Sequence, residues 1–242
     1  MALPSCVSDI VSIKFATMSK LRMQAMRRRN DPRDTSPLRK SERTRNAILN
    51  AALKFLWSNP FRDLTIAELM AQTGVSRSVF YQYFADLHDL MEELLDDLQQ
   101  QILDVATPWL TAESDPAGEL VKSLSGLVKV CYQRGPILRA VFEAAPMDER
   151  LEGAWSDFVG VFDNAVAERI ERDQSAGLVS EFEARPVAIA LNRMDVGTLI
   201  HHFGRRPRSK AEPVYQAILQ VWISTIYGHE ALARCSSNED PR

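Results

Sequence analysis

The stretch "TIAELMAQTGVSRSVFYQYF", Thr65 to Phe84, decides how the chain is read. Ile66, Leu69 and Met70 recur at helical spacing and give a short helix one apolar face. Thr65 stands where a helix cap belongs, and Glu68 three residues on completes a capping box. "TGVS" then makes a tight turn in which Gly74 can take a positive φ without steric cost. Ser76 caps a further helix running to Phe84, and Val75, Phe80 and Phe84 face the same core as the first helix. Arg77, Ser78, Tyr81 and Gln82 fall at i, i+1, i+4 and i+5 and share the outward face. A helix, a glycine turn and a second helix of this kind can place the second helix in a major groove of DNA. Arginine bonds guanine through two N–H groups and glutamine reads adenine. Serine and tyrosine hydroxyls, with the free N–H groups of a helix start, suit phosphates. Two ordinary packed helices with a surface arginine would show the same apolar spacing, so the surroundings have to choose.

Upstream, the charge is lopsided. From Lys14 to Arg45 there are eleven Lys/Arg against Asp31, Asp34 and Glu42, a balance of +8 within a chain whose net charge is −3. A basic segment ahead of an acidic body suits contact with a polyanion, and equally suits a solvated tail that orders on phosphate. We read residues 1–37 as a disordered basic extension in which Met18, Met23 and Met26 are alternative starts. The opening residues lack the basic and apolar regions of a signal peptide. A helix from about Ser41 to Ser58 follows, with Ile48, Ala51, Ala52, Phe55 and Leu56 as its apolar stripe and Arg45 near its start.

Downstream, apolar positions keep the helical period, and Pro and Gly cut the pattern into segments. We expect helices from Asp86 to about Thr107, ended by Pro108, and from Ala117 to Gln133, broken at Gly135–Pro136. Others run over 137–144, 148–175, 185–203 and 214–227. No strand alternation appears. The fold expected is all-α, about nine helices: a helix-turn-helix head at 38–85, a helical body at 86–230 and a polar tail at 231–242.

No apolar run reaches the 18 residues of a membrane span. Cys6, Cys131 and Cys235 are too scattered for a disulfide framework or a metal site, which fits a reducing cytoplasm. There is no phosphate-binding glycine loop, HExxH, CxxC or nucleophile elbow. His88, His201, His202 and His229 suggest no triad. We expect no enzyme activity, no cofactor and no metal.

"LTIAELMAQTGVSRSVFYQYFADLHDLMEELL", Leu64 to Leu95, resembles the DNA-binding domain of the tetracycline-repressor (TetR) family. That resemblance implies that Thr65 touches phosphate, that Arg77, Ser78 and Val79 lie nearest the bases, and that Tyr81 and Tyr83 flank the backbone. Arg45 and Ser76 complete the expected contacts with double-stranded DNA. The family usually carries a phosphate-binding lysine where this chain has Leu87, and the adjacent His88 is no equivalent cation at pH 7.

"LEGAWSDFVGVFDNAVAERIERDQSAGL", "ALNRMDVGTLIHHFG" and "LQVWISTIYG", within residues 151–228, are similar to the ethionamide-resistance-repressor branch of that family. There the last helices enclose a long apolar cavity and two of them pair across a two-fold axis, and an occupied cavity spreads the DNA-reading heads. The resemblance implies a repressor, a homodimer and a small apolar or amphipathic ligand. On composition, Trp109, Phe142, Trp155, Phe158, Phe162 and Trp222 are the aromatic candidates for lining such a cavity. Asn192 and Asp195 form a polar pair at i, i+3 on an otherwise apolar helix. Both positions are amides in the resembled branch, so Asp195 is a departure, favouring a ligand with a donor or cationic group. A salt bridge from Asp195 to Arg193 is the alternative. Ile189, Val196, Leu199, Ile200, Ile218, Leu219, Val221 and Ile223 spread apolar surface around the last two helices, as a buried or paired helix requires.

Overall fold

The structure, a computed structural model, describes residues 37–228 and 231. The basic extension and polar tail expected at the two ends therefore lie outside the described residues, apart from Pro37 and Ala231. The chain divides into two units, Met1–Thr44 and Arg45–Arg242, and among the described residues the buried core lies in the second.

Eight α-helices and two 3₁₀ turns make up the described residues, with no strand among them. α1 is Pro37–Leu56, and Ile48, Ala51, Ala52 and Leu56 form its buried stripe. A 3₁₀ turn at Phe61–Asp63 leads to α2, Ile66–Thr73. The Thr65 hydroxyl accepts the Glu68 backbone N–H at 3.2 Å and donates to the Glu68 carboxylate at 2.9 Å. Gly74 ends α2 at φ 70°, its N–H returning to the Met70 carbonyl. α3 is only Arg77–Phe80. Beyond it, Gln82 and Tyr83 N–H groups bond three residues back, to Val79 and Phe80. The expected helix to Phe84 is thus tightened, as a run of β-branched and aromatic residues with weak helix preference allows.

α4, Leu87–Thr111, starts at Asp86, whose carboxylate accepts the Asp89 N–H at 2.8 Å; Asp89 in turn accepts the Ala85 N–H at 2.8 Å. Pro108 does not end it. Two arginines of the following body take up carbonyls at its C-terminal end, Arg172 that of Leu110 at 2.8 Å and Arg169 that of Ala112 at 2.7 Å.

α5, Pro116–Ala144, also runs through its expected break. Gly135 is there because the helix lies against the backbone of Phe203: a Cβ on it would meet the Phe203 carbonyl oxygen at 2.5 Å. Further along, Arg139 of α5 donates to the carbonyls of Leu56 at 2.5 Å and Asn59 at 3.0 Å, where α1 ends. A cation at a helix C-terminus satisfies its unpaired carbonyls and its dipole together.

A 3₁₀ turn at Ala145–Met147 leads to α6, Glu149–Ser175. Asp148 caps its start, and Gly177 at φ 70° closes it with Gly177 N–H to Gln174 and Leu178 N–H to Asp173. α7 is Ala184–Phe203 and α8 is Ala211–Ile226. α5 is the central helix of the body and packs against α4, α6, α7 and α8. No helix of the described residues is long and apolar enough to cross a membrane.

Candidate functional site

Two places concentrate chemistry, the outer face of α3 and a cavity inside the body. On the first, Arg77, Ser78, Tyr81 and Gln82 are all exposed, Tyr81 to 60%. Phe80 and Phe84 point the other way and are buried, with Phe80 edge-on to Tyr81 at 5.5 Å. Val79 and Tyr83 are half-buried and pack on the core, so their surfaces are only partly free. Thr65 is exposed at the start of α2. Ser76 does not cap α3 as expected, because its hydroxyl pairs instead with that of Ser78 at 2.8 Å.

Arg45, expected among the DNA contacts, has a partner within the chain. Its guanidinium is bonded to the Glu93 carboxylate and lies 5.9 Å from the Phe84 ring centre, so it braces the head against α4. The neighbourhood of the missing lysine is also taken. Leu87 packs on the core, and His88 Nε2 bonds Asp148 Oδ2 at 2.5 Å. Arg150 holds the Glu92 carboxylate through two bonds of 2.5 and 2.8 Å and reaches Asp86 at 3.0 Å. Asp86, His88, Glu92, Asp148 and Arg150 thus clasp the start of α4 to the start of α6. Backbone N–H groups hold two of these acids below the usual carboxylate range, that of Asp89 at Asp86 and that of Leu151 at Asp148, with Arg150 and His88 adding to the effect. No sequence spacing points to this clasp, since its halves lie about sixty residues apart.

The cavity is walled by α4 to α8. Its volume is about 90 Å³; one water takes roughly 10–15 Å³ of such space, so several fit. Of the eight candidates, Trp109, Phe158, Phe162, Asn192, Asp195 and Trp222 line it. Phe142 and Trp155 do not. Phe142 is 50% exposed and edge-on to Trp155, which stacks on the outer side of Phe158 at 5.5 Å. Aromatic density along α6 and at the end of α5 carried both into the expectation, but neither reaches the cavity wall. Sequence reasoning missed Ser123, Cys131 and the aliphatic side chains that make most of the wall.

Asp195 does not pair with Arg193. Residues two apart on a helix point to different sides, and Arg193 bonds Asp163 at 2.9 Å. Asp195 is buried and accepts the Trp222 indole N–H at 3.1 Å through both oxygens. Burial pushes its carboxyl up to about 7, against the pull of that one hydrogen bond. Burial likewise pushes the Cys131 thiol up, with Asp195 adding to it, so the thiol stays protonated. Below the cavity a buried chain runs from Trp109 Nε1 to the Tyr227 hydroxyl at 2.9 Å, and from that hydroxyl to Asp173 at 2.7 Å. Arg169 closes the chain through two bonds of 3.0 and 2.7 Å to Asp173. Among the described residues no group of His, Cys, Asp and Glu is arranged to hold a metal ion.

Two family models match the chain. One is "Bacterial regulatory proteins, tetR family", over residues 48–94; the other is "Transcriptional regulator EthR, C-terminal domain", over residues 120–228. The HTH-type transcriptional regulator EthR of Mycobacterium tuberculosis is 27% identical over 187 residues, covering 75% of this chain and 86% of that protein. Among solved structures, a protein of Syntrophomonas wolfei described as a TetR-family transcriptional regulator superposes with a TM-score of 0.65 at 17% identity, over 76% of this chain and 94% of that one. A gamma-butyrolactone receptor, described as ArpA-like, superposes with a TM-score of 0.61 at 19% identity, over 82% of this chain and 95% of that one.

Proposed function

We propose that this chain, which belongs to the TetR family of transcriptional regulators and to its EthR-like branch, is a dimeric repressor that leaves a palindromic operator when a small, largely apolar ligand fills its cavity. The observation that carries this reading is α4. Its first turn follows the exposed Arg77, Ser78, Tyr81 and Gln82 face directly, and its far end supplies Ile102, Ala106, Trp109 and Leu110 to the cavity wall. Residues 38–85 then serve as the reading head and 86–230 as the ligand-binding and dimerising body, with 1–37 as a basic arm and 231–242 as a tail.

Arg77 and Gln82 read base edges; Thr65, Ser76, Ser78, Tyr81 and Tyr83 contact the backbone, and Val79 packs near a base. Two-fold symmetry matches two such heads to two half-sites. Exposed Val221 and half-buried Ile189 and Ile200 supply apolar surface for pairing α7 and α8. Ile218, Leu219 and Ile223 are spent on the monomer's own core. A gamma-butyrolactone receptor built on this fold supports the small-molecule role. Release needs the ligand to favour the conformation that cannot bind DNA, and a preference of about 100-fold is about 2.7 kcal/mol.

Arg45 and His88 are engaged inside the protein, which favours a second reading: a helical interaction protein of the same fold that has lost its operator. An activator would use the same face. Fluorescence anisotropy with DNA from upstream of the protein's own gene, against a scrambled duplex at two salt concentrations, separates these readings. Preference for the native duplex with steep loss at higher salt supports the regulator; no binding at low salt supports the interaction protein.

A further inference from the structure

The polar side chains on the cavity wall are few. Its two indole N–H donors are already spent, that of Trp222 on Asp195 and that of Trp109 on Tyr227. Asn192 gives its amide nitrogen to Asp163 at 2.9 Å. A carboxylate only accepts, so Asn192 keeps its oxygen as an acceptor, beside the second N–H of its amide. Asp195 offers further lone pairs. Ser123, 5% exposed, lines the cavity, and its hydroxyl has no hydrogen-bond partner among the described residues. An unmade bond of that kind is costly unless something entering the cavity supplies it. Among the described residues no Lys, Arg or His lines the wall, so an anionic head group would meet Asp195 with no cation to offset it.

Resting on the ligand-release reading above, we infer that the cavity takes an amphiphile with an apolar body and one donor-bearing polar end, a primary ammonium, seated on Asp195 with Ser123 and Asn192 beside it. The ammonium's three donors match three acceptors, and its charge is met by the one acid of the wall. The titratable groups lining the cavity are Asp195 on α7 and the Cys131 thiol on α5, which stays neutral; α4, α6 and α8 contribute none. Because burial sets the Asp195 carboxyl near 7, the ionised form that pairs with an ammonium becomes populated across neutral pH.

The test uses the full chain with N-phenyl-1-naphthylamine, a neutral fluorescent probe of apolar cavities, displaced by n-octylamine, 1-octanol or octanoate. Octylamine is expected to displace it at a concentration about tenfold below octanol at pH 7.5, as a charge-assisted bond added to a common apolar tail predicts. Octanoate should be the weakest. The advantage of the amine over the alcohol should grow from pH 6 to pH 8 by up to about tenfold, since the ionised fraction of one carboxyl is what changes. Asp195→Asn should bring amine and alcohol together, and Ser123→Ala should weaken both. If octanol or octanoate matches octylamine on the wild-type chain, the inference is overturned while the ligand cavity stands. That comparison needs no variant to fold. If neither the naphthylamine nor any octyl compound binds, the ligand-release reading itself fails and the inference goes with it.

Discussion

Arg208 donates a 2.5 Å hydrogen bond to the carbonyl of Tyr132, the carbonyl that Pro136, four residues on, leaves without its helical N–H. The same guanidinium lies 3.8 Å from the Tyr132 ring centre and 5.0 Å from that of Trp57. α5 therefore continues as one helix through a residue that ends most helices, with a donor from a loop 76 residues beyond Tyr132 in place of the missing N–H.

Arg208→Ala is expected to destabilise the fold by about 1–3 kcal/mol in urea denaturation, the cost of stranding a part-buried carbonyl. Pro136→Ala restores an N–H at that point. In its background the cost of Arg208→Ala should fall to what the ring contacts supply, about 0.5–1 kcal/mol. Additive effects of the two substitutions would show that the Tyr132 carbonyl does not depend on Arg208.

That repair explains where the sequence was legible and where it was not. Thr65, Gly74 and the Ile48 stripe act over three to eight residues, so the head could be read from them directly. The merging of two expected helices into α5 could not, since Gly135–Pro136 is a break by every local rule and its remedy is remote. Arg45 shows the same limit: near a basic segment it looks like a phosphate ligand, and only the fold brings Glu93 to it. Phe142 and Trp155 show a different limit. Composition along α6 and the end of α5 reveals aromatic density but not which members face inward. The pairing of Asp195 was within reach, because the helical period already turns Arg193 away from it.

Arg77 is exposed on the outer face of α3, so its loss should be felt by DNA and not by the fold. Arg77→Ala is expected to weaken operator binding by about 1–3 kcal/mol, roughly 5- to 150-fold, in anisotropy titrations, with the thermal midpoint unchanged. Arg45→Ala should behave the other way and lower the midpoint modestly, by the roughly 0.2–1 kcal/mol of a part-exposed ion pair, since its partners Glu93 and Phe84 belong to the chain itself. Equal losses of DNA affinity from both would mean that Arg45 leaves Glu93 for phosphate.

The buried acid makes stability depend on pH in a defined direction. Burial raises the Asp195 carboxyl to about 7, so the folded chain holds that proton more tightly than the unfolded one. The stability gained is fully present below the usual carboxylate range and is lost as pH rises through 7. Asp195→Asn keeps an acceptor for the Trp222 N–H and carries no titrating proton. Between pH 5 and pH 8 the wild-type chain should therefore lose about 3 kcal/mol more than the variant, from about two pH units below the folded-state value. Parallel urea profiles across that range would place a compensating partner beside the carboxylate.

The clasp of Asp86, Glu92 and Arg150 joins the helix that leaves the head to the helix that carries Phe158 and Phe162 into the cavity. Exposed ion pairs of this kind contribute roughly 0.2–1 kcal/mol each, so Arg150→Ala should change the thermal midpoint little. Its effect belongs in the coupling. A ligand moves DNA affinity only if the two sites bias the same element, and with the clasp cut α4 can shift at the cavity without carrying its first turn along. The ratio of operator affinities with and without a cavity ligand should fall toward one, while DNA binding and probe binding, each measured alone, stay within about threefold of wild type. An unchanged ratio would mean that the coupling runs instead through Arg139, which ties α5 to the carbonyls of Leu56 and Asn59 at the end of α1.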